Sequence, residues 1–301
     1  MAAKNYARFL PAAVESVLAQ TVADWELVVI DDGSTDATPA AVEPYRRDPR
    51  VRYVRSDRLG QSRAKNLGIR LSRGEVIAFL DADDVWRPTK LEKQLALMES
   101  GRAGVVFSLR ELIDEDGNPI TKPLAGPPPY DPAAPLDALF VQNFVCFSSA
   151  VVRREVFDRV GGFDPNLDLA IDYDLWLRAA PHYRFAHVAE SLVLYRTGHG
   201  NLSQKLADRV ATAFSIMHRC VHRRHAPVGR RAVAVGYGST ARALGWVYRR
   251  SEPLEAVRWF ARSLPWAGGR AEAVKGIVAS GLHWVRRTRG PTAAENRTEN
   301  L

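Results

Sequence analysis

Leu27-Val28-Val29-Ile30 runs into Asp31-Asp32-Gly33-Ser34, and Val76-Ile77-Ala78-Phe79-Leu80 runs into Asp81-Ala82-Asp83-Asp84. Each is a short run of β-favouring apolar residues stopped by turn formers, the pattern of a buried parallel strand. In an open α/β sheet, ligands bind at the carboxyl edge where such strands end. Carboxylates crowded at that edge repel one another unless a positive group joins them. A divalent cation carrying a diphosphate is the natural candidate.

Working outward, strands and helices alternate. Phe9, Leu10, Ala13, Val14, Val17 and Leu18 share one face of a helix over 6–19. Val51–Val54 reads as a strand, Gln61–Leu71 as a helix ended by Gly74, and Pro88 opens a helix reaching Met98. Strands are expected over 104–113 and 145–153, separated by a proline-dense loop at 119–135, with helices starting at 154 and near 171. The alternation predicts an α/β sandwich with a mainly parallel sheet. No strand is legible ahead of the first helix, where only Met1–Lys4 precede Asn5. After residue 204 the strand signal stops, and helices are expected over 205–225, 230–250 and 253–264. The reading therefore divides the chain into 1–204, a basic helical extension over 205–289, and a disordered polar tail over 290–301.

With 301 residues the chain can bury a full core. The net charge of +8 is uneven: from residue 205 onward there are 18 Lys/Arg against 6 Asp/Glu, leaving a net −4 on the rest. The high isoelectric point thus describes the extension, and an anionic membrane surface or nucleic acid are the partners such a charge attracts. Cys146 and Cys220 have no metal-ligand spacing and read as free thiols in a reducing cytoplasm. No signal peptide is visible, and Gly276–Val285, the longest uncharged stretch near the end, is too short to span a bilayer. These features predict a cytoplasmic protein with peripheral contact at the inner face of the plasma membrane.

The motifs resemble those of a family 2 glycosyltransferase with the GT-A nucleotide-sugar-binding fold. They occur in family order across residues 5–203: Asn5 with Phe9-Leu10, Ser16–Gln20, Val29–Asp36, Gly60–Gly68 and Leu80–Asp84. Gly161–Asp164, Asp172–Trp176, and Tyr195-Arg196 with His199, Asn201 and Ser203 complete the set. Two departures stand out. Family members carry a strand ahead of the position of Asn5, which suggests an upstream start, and Ile171 stands where an acidic residue is usual.

The resemblance implies an inverting, metal-dependent transfer of a sugar from a nucleoside diphosphate, a UDP-sugar first, to a hydroxyl of a cell-surface saccharide or lipid-linked acceptor. Asp83 would ligate Mg²⁺ or Mn²⁺, with His199 beside metal or phosphate, and Asp81 would contact ribose or a metal-bound water. Asp31 and Asp32 would read ribose and base, and Arg63 or Lys65 the base or phosphates, only one of the two needing to face the site. Asp172 would be the general base, with Asp174 as runner-up; residues i and i+2 of a helix point apart, so the two should not share a task. Asp164 and Trp176 would border the acceptor. The rivals are a catalytically inactive sugar-nucleotide-binding or scaffold protein of the same fold, and, with less support, a nucleic-acid-binding protein acting through the basic tail.

Overall fold

In the computed structural model, residues 1–121, 126–199, 205–222, 227–266 and 268–289 are described. They form two compact units, Met1–Leu139 with Asn143–Leu202, and Phe140–Gln142 with Ser203–Leu301. The polar tail over 290–301, Asn201 and Ser203 lie outside the described residues.

The first unit opens with β1 (Ala2–Ala3), α1 (Leu10–Leu18), β2 (Leu27–Asp31), α2 (Thr38–Val42), β3 (Val51–Arg55) and α3 (Gln61–Leu71). There follow β4 (Val76–Ala78), β5 (Val85–Trp86), α4 (Lys90–Gly101), β6 (Val105–Ile113) and β7 (Pro119–Ile120). After α5 (Leu136–Val141) come β8 (Val151–Arg153), α6 (Arg154–Val160), α7 (Ile171–Ala179) and β9 (Phe185–Arg196).

Strands β1, β2 and β3 pair in parallel in that order. The remaining strands form a mixed sheet in the order β4-β8-β6-β9-β5, with β7 on β6. Only β6 and β9 run parallel in it; the other pairings are antiparallel. A parallel bridge from Ala2 to Asp81 joins the two sheets. Leu10, Val14 and Val17 of α1, Leu27 and Val29 of β2, Met98 of α4 and Val106 of β6 share one buried cluster. Burial of each such side chain contributes about 1.5–3 kcal/mol.

The strand that the sequence hides is β1. Its two residues lie between the ends of β2 and β4: Ile30 N–H donates to Met1 O (2.9 Å), and Asp32 N–H to Ala3 O (2.8 Å). The Met1 amino group donates to Val28 O at 3.0 Å. Burial, with Lys65 nearby, pushes this amine down to about 5. Below it a cavity of about 850 Å³ is lined by Val28, Gly68, Ala78, Leu80 and Phe147 among others. Neither Asp83 nor Asp172 lines it.

In the second unit, α8 (Leu206–His222), α9 (Arg230–Tyr248), α10 (Pro253–Ser263) and α11 (Arg270–Arg289) follow one another. Phe260 on α10 is fully buried, and a Cβ on Gly245 of α9 or Gly276 of α11 would come within 3 Å of its ring. Glycine at those two points lets both helices close on one aromatic. Phe140 belongs here as well, its ring edge-on to Tyr237 at 5.8 Å. No helix among the described residues is long and apolar enough to cross a membrane.

Candidate active site

The pairing of β1 puts both acidic clusters on one edge. Ala3 sits opposite Asp31, and Ala2 opposite Asp81. The clusters are thus two strand spacings apart, roughly 10 Å. Asn5, in a left-handed conformation (φ 61°), ties this edge together: its N–H donates to Ser34 Oγ, and its Oδ1 accepts from Thr35 N–H.

Asp31 is engaged by its protein neighbours. It is fully buried, its Oδ1 accepts from Ser34 N–H at 2.8 Å, and its Oδ2 accepts from the Tyr53 hydroxyl. Burial alone would raise its pKa, but the hydrogen bonds from Ser34 and Tyr53 win and hold it below the usual carboxylate range. Asp31 thus anchors the turn after β2, with a tyrosine from β3 as its second partner. Asp32 accepts from Ser56 Oγ (3.1 Å), Leu59 N–H and Gly60 N–H (3.0 Å), so it holds the 56–60 loop over this edge.

Of the two α3 cations, Lys65 faces the site. Its Nζ lies 2.9 Å from Asp81 Oδ1 and 3.7 Å from the Phe147 ring centroid. Arg63 is exposed, and among the described residues no hydrogen bond or ion pair joins it to the cluster. Asn66, one turn along, grips the backbone of Phe163, donating to its carbonyl and accepting from its N–H, both at 2.8 Å. That clamp leaves no room for a Cβ on Gly162.

Asp83 and His199 meet: Nε2 lies 2.8 Å from Oδ2, with both side chains under a tenth exposed. Burial and the neighbouring Asp81 raise the Asp83 carboxyl to about 6 against the pull of His199. Asp84 is pushed up further by burial and by both neighbours, while accepting from Ser148 Oγ and from Arg196 N–H (2.9 Å). Tyr6 packs beside this cluster, its hydroxyl shifted upward by burial and by Asp83. The Arg196 guanidinium donates to the carbonyls of Asp83, Asp114 and Glu115.

Asp172 lies in the first turn of α7, half-exposed, its Oδ2 accepting from Asn143 Nδ2 at 3.1 Å. Asn143 and Ser148 lie on one short segment, which therefore touches Asp172 at one end and Asp84 at the other. Asp174 points elsewhere and pairs with Arg178 at 2.8 Å. Ile171, in the place of the usual acid, is buried apolar core. Asp164 caps its own turn through Asn166. Trp176 is fully buried, edge-on to Phe185 at 6.1 Å, so the expected sugar-stacking role is corrected to core packing. Asn143, Ser148, Tyr6 and Tyr53 were not found by sequence reading; each reaches the site from an element remote in the chain, and no local pattern marks them.

The family model described as glycosyl transferase family 2 matches residues 1–161. The chain belongs to this family. An uncharacterised glycosyltransferase of Nostoc sp. is 28% identical over 272 residues, covering 86% of this chain and 83% of that one. The putative teichuronic acid biosynthesis glycosyltransferase TuaG of Bacillus subtilis is 35% identical over 177 residues, covering 58% of this chain and 67% of its own. Among solved structures, the mannosyltransferase PcManGT from Pyrobaculum calidifontis, in complex with GDP-Man and Mn²⁺, superposes with a TM-score of 0.62 at 18% identity. That match covers 93% of this chain and 84% of the other. The fold of this glycosyltransferase is accordingly GT-A, an α/β sheet structure followed by a helical C-terminal region.

Among the described residues no group of three or more His, Cys, Asp and Glu converges as a metal cage. A cation held mainly by a diphosphate needs only one or two protein ligands. Asp83 and His199 provide an oxygen and a nitrogen already in register. This oxygen and nitrogen donor set, with Asp81 nearby, fits a divalent ion.

Proposed function

We propose that this family 2 glycosyltransferase moves a sugar, with inversion, from a nucleoside-diphosphate donor to a saccharide hydroxyl, and that Mg²⁺ or Mn²⁺ assists. The observation that carries this reading is the meeting of Asp83 with His199 on the same sheet edge as Asp81–Lys65 and Asp32. Together they form a two-ligand cation seat beside a fixed ammonium, suited to a diphosphate. A bound cation would neutralise charge developing on the departing diphosphate. Lys65 fixes Asp81 at the ribose end, and Asp32 holds the 56–60 loop against the base. Asp172, oriented by Asn143, takes the proton of the acceptor hydroxyl. A single base acting in line with the leaving group inverts the anomeric centre. Cell-surface polymer synthesis is supported by the likeness to TuaG, a putative teichuronic acid biosynthesis glycosyltransferase. We place the protein in the cytoplasm, with the basic helical extension against the inner face of the plasma membrane.

The test is a donor-hydrolysis and transfer screen across UDP- and GDP-sugars with Mn²⁺ or Mg²⁺. Turnover with at least one donor, lost in Asp83→Ala and in Asp172→Asn, is expected. Full turnover in both variants would remove the assignment, and no turnover with any donor would favour the non-catalytic rival.

A further inference from the structure

Beyond the donor site, the cavity above β6 contains a cation with no counter-ion. It has a volume of about 190 Å³ and is lined by Phe107, Ser108, Arg110, Phe144, Ile120 and Ser191 among others. That is below the roughly 300 Å³ at which drug-sized pockets begin, which suits a single sugar ring. Arg110 enters it where the β6–β9 register slips, between Ser108 and Arg110. Its Nε is sealed from solvent without a hydrogen-bond partner, and among the described residues its guanidinium forms no ion pair. The one carboxylate lining the cavity, Glu111, is engaged by Arg87 at 2.9 Å. The Arg110 guanidinium lies instead against the Tyr195 ring, 5.5 Å from its centroid.

The cavity's place matters as much as its charge. Phe144, which walls it, follows Asn143, the partner of Asp172. Tyr195, on the other side of Arg110, is close enough to Tyr6 to shift its hydroxyl, as do Asp83, Asp81 and Asp84. The cavity thus adjoins the segment that carries Asn143, the partner of Asp172. Phe107 and Phe144, both buried with ring centroids 5.6 Å apart, back the cavity with a rigid apolar floor. A half-buried guanidinium without a partner is a destabilising arrangement, and its planar fork matches a carboxylate or phosphate.

We infer that Arg110 and this cavity bind an anionic substituent, a carboxylate or a phosphate, on the sugar of the acceptor. The inference rests on the glycosyltransferase reading and narrows its acceptor to an acidic saccharide.

The full chain, saturated with UDP and Mn²⁺, is titrated by NMR with glucose, glucuronate, glucuronamide and glucose 6-phosphate. Glucuronate or glucose 6-phosphate should bind at least about tenfold more tightly than glucose, and the stronger of the two names the substituent. Glucuronamide, which keeps the shape and loses the charge, should bind like glucose. Arg110→Gln should abolish the preference. Equal binding of all four sugars, absence of binding by any, or persistence of the preference in a folded Arg110→Gln would each overturn the inference. If that variant does not fold, the glucuronate-to-glucuronamide ratio in the unmodified chain decides alone. Donor hydrolysis measured on the same sample separates the two failures. Hydrolysis without anion preference removes only the acceptor subsite, and no hydrolysis with any donor removes the underlying reading.

Discussion

His199 Nε2 and Asp83 Oδ2 lie 2.8 Å apart although 116 residues separate them in sequence. The imidazole is held edge-on to Phe9 at 4.6 Å and lies 6.1 Å from Tyr6, so the loop bearing it is packed against the start of α1. This brings one end of the chain's catalytic unit onto the acidic cluster of β4.

From that pairing, Asp83→Asn should have two opposite effects. Without metal the variant should melt no lower than the parent, because burial and Asp81 already disfavour the Asp83 charge. With Mn²⁺ the parent should gain melting temperature, by mass action on the folded state, and the variant should not. Donor hydrolysis should fall by at least about 100-fold, since loss of even an outer-shell partner of a metal costs about 10–100-fold. Differential scanning fluorimetry with and without Mn²⁺ and a nucleotide-release assay check both, and an undiminished Mn²⁺ response would count against Asp83 as a ligand.

Asp172→Asn should lower transfer by about 10²–10⁴-fold, the usual contribution of a general base. Nucleoside-diphosphate affinity, read by calorimetry, should not change, since among the described residues no direct hydrogen bond or ion pair joins Asp172 to the Asp81–Asp84 cluster. Asn143→Ala should lower kcat by about tenfold at unchanged donor KM, because it loosens only the orientation of the base. Equal losses in donor affinity and in transfer would place Asp172 in the donor pocket instead.

The legible parts of the fold are those in which burial and chain direction coincide. β2 and β4 are unbroken apolar runs, and their terminal aspartates announce the sheet edge. β9, the longest strand, went unread because His187, Glu190 and Ser191 break its pattern and its partner β6 lies far back in sequence. Trp176 was misassigned for the same reason: the surface that buries it is Phe185, the first residue of that strand. The tyrosine bonded to Asp31 sits on β3, so nothing local in the sequence announces that partner. β1 is two residues long and carries no periodicity at all. α11 was missed because Gly276 and Gly281 interrupt its pattern. Residue types that perform chemistry could be listed from the sequence; which of them are consumed by neighbours depends on partners that only folding supplies.

Lys90 is a buried cation outside this chemistry. It is fully buried, its Nζ has no hydrogen-bond partner among the described residues, and it sits 4.1 Å from the Trp86 ring centroid. Burial pushes it down to about 7, against 10.5 for a free lysine. Between those values the unfolded chain binds a proton that the folded chain does not, so stability should rise with pH across that window. Lys90→Met, which keeps the volume and removes the amine, should be more stable by a few kcal/mol at pH 7 and lose part of that advantage by pH 9. Urea denaturation of both proteins at the two pH values measures it; parallel pH dependences would mean that Lys90 finds a partner in solution.

Helix α11 has apolar residues on two sides. Ala273 and Ser280 are fully buried, while Val274, Val278 and Leu282, spaced one turn apart, are 51–57% exposed on another face. The helix sequence carries five Lys/Arg against one Glu. An outward apolar stripe on a basic helix is suited to the headgroup boundary of an anionic bilayer. Sedimentation with vesicles containing 30% phosphatidylserine should pull down the full chain, and vesicles of phosphatidylcholine alone should not. Val278→Asp, on the exposed face, should leave the unfolding free energy within about 0.5 kcal/mol of the parent and reduce vesicle binding at least about tenfold. Raising the salt to 0.5 M should weaken binding by the unmodified chain, because the charge contribution is screened over a few ångström. Equal sedimentation of the two proteins would show that α11 is not the contact, and binding to neutral vesicles as strong as to anionic ones would remove the electrostatic half of the argument.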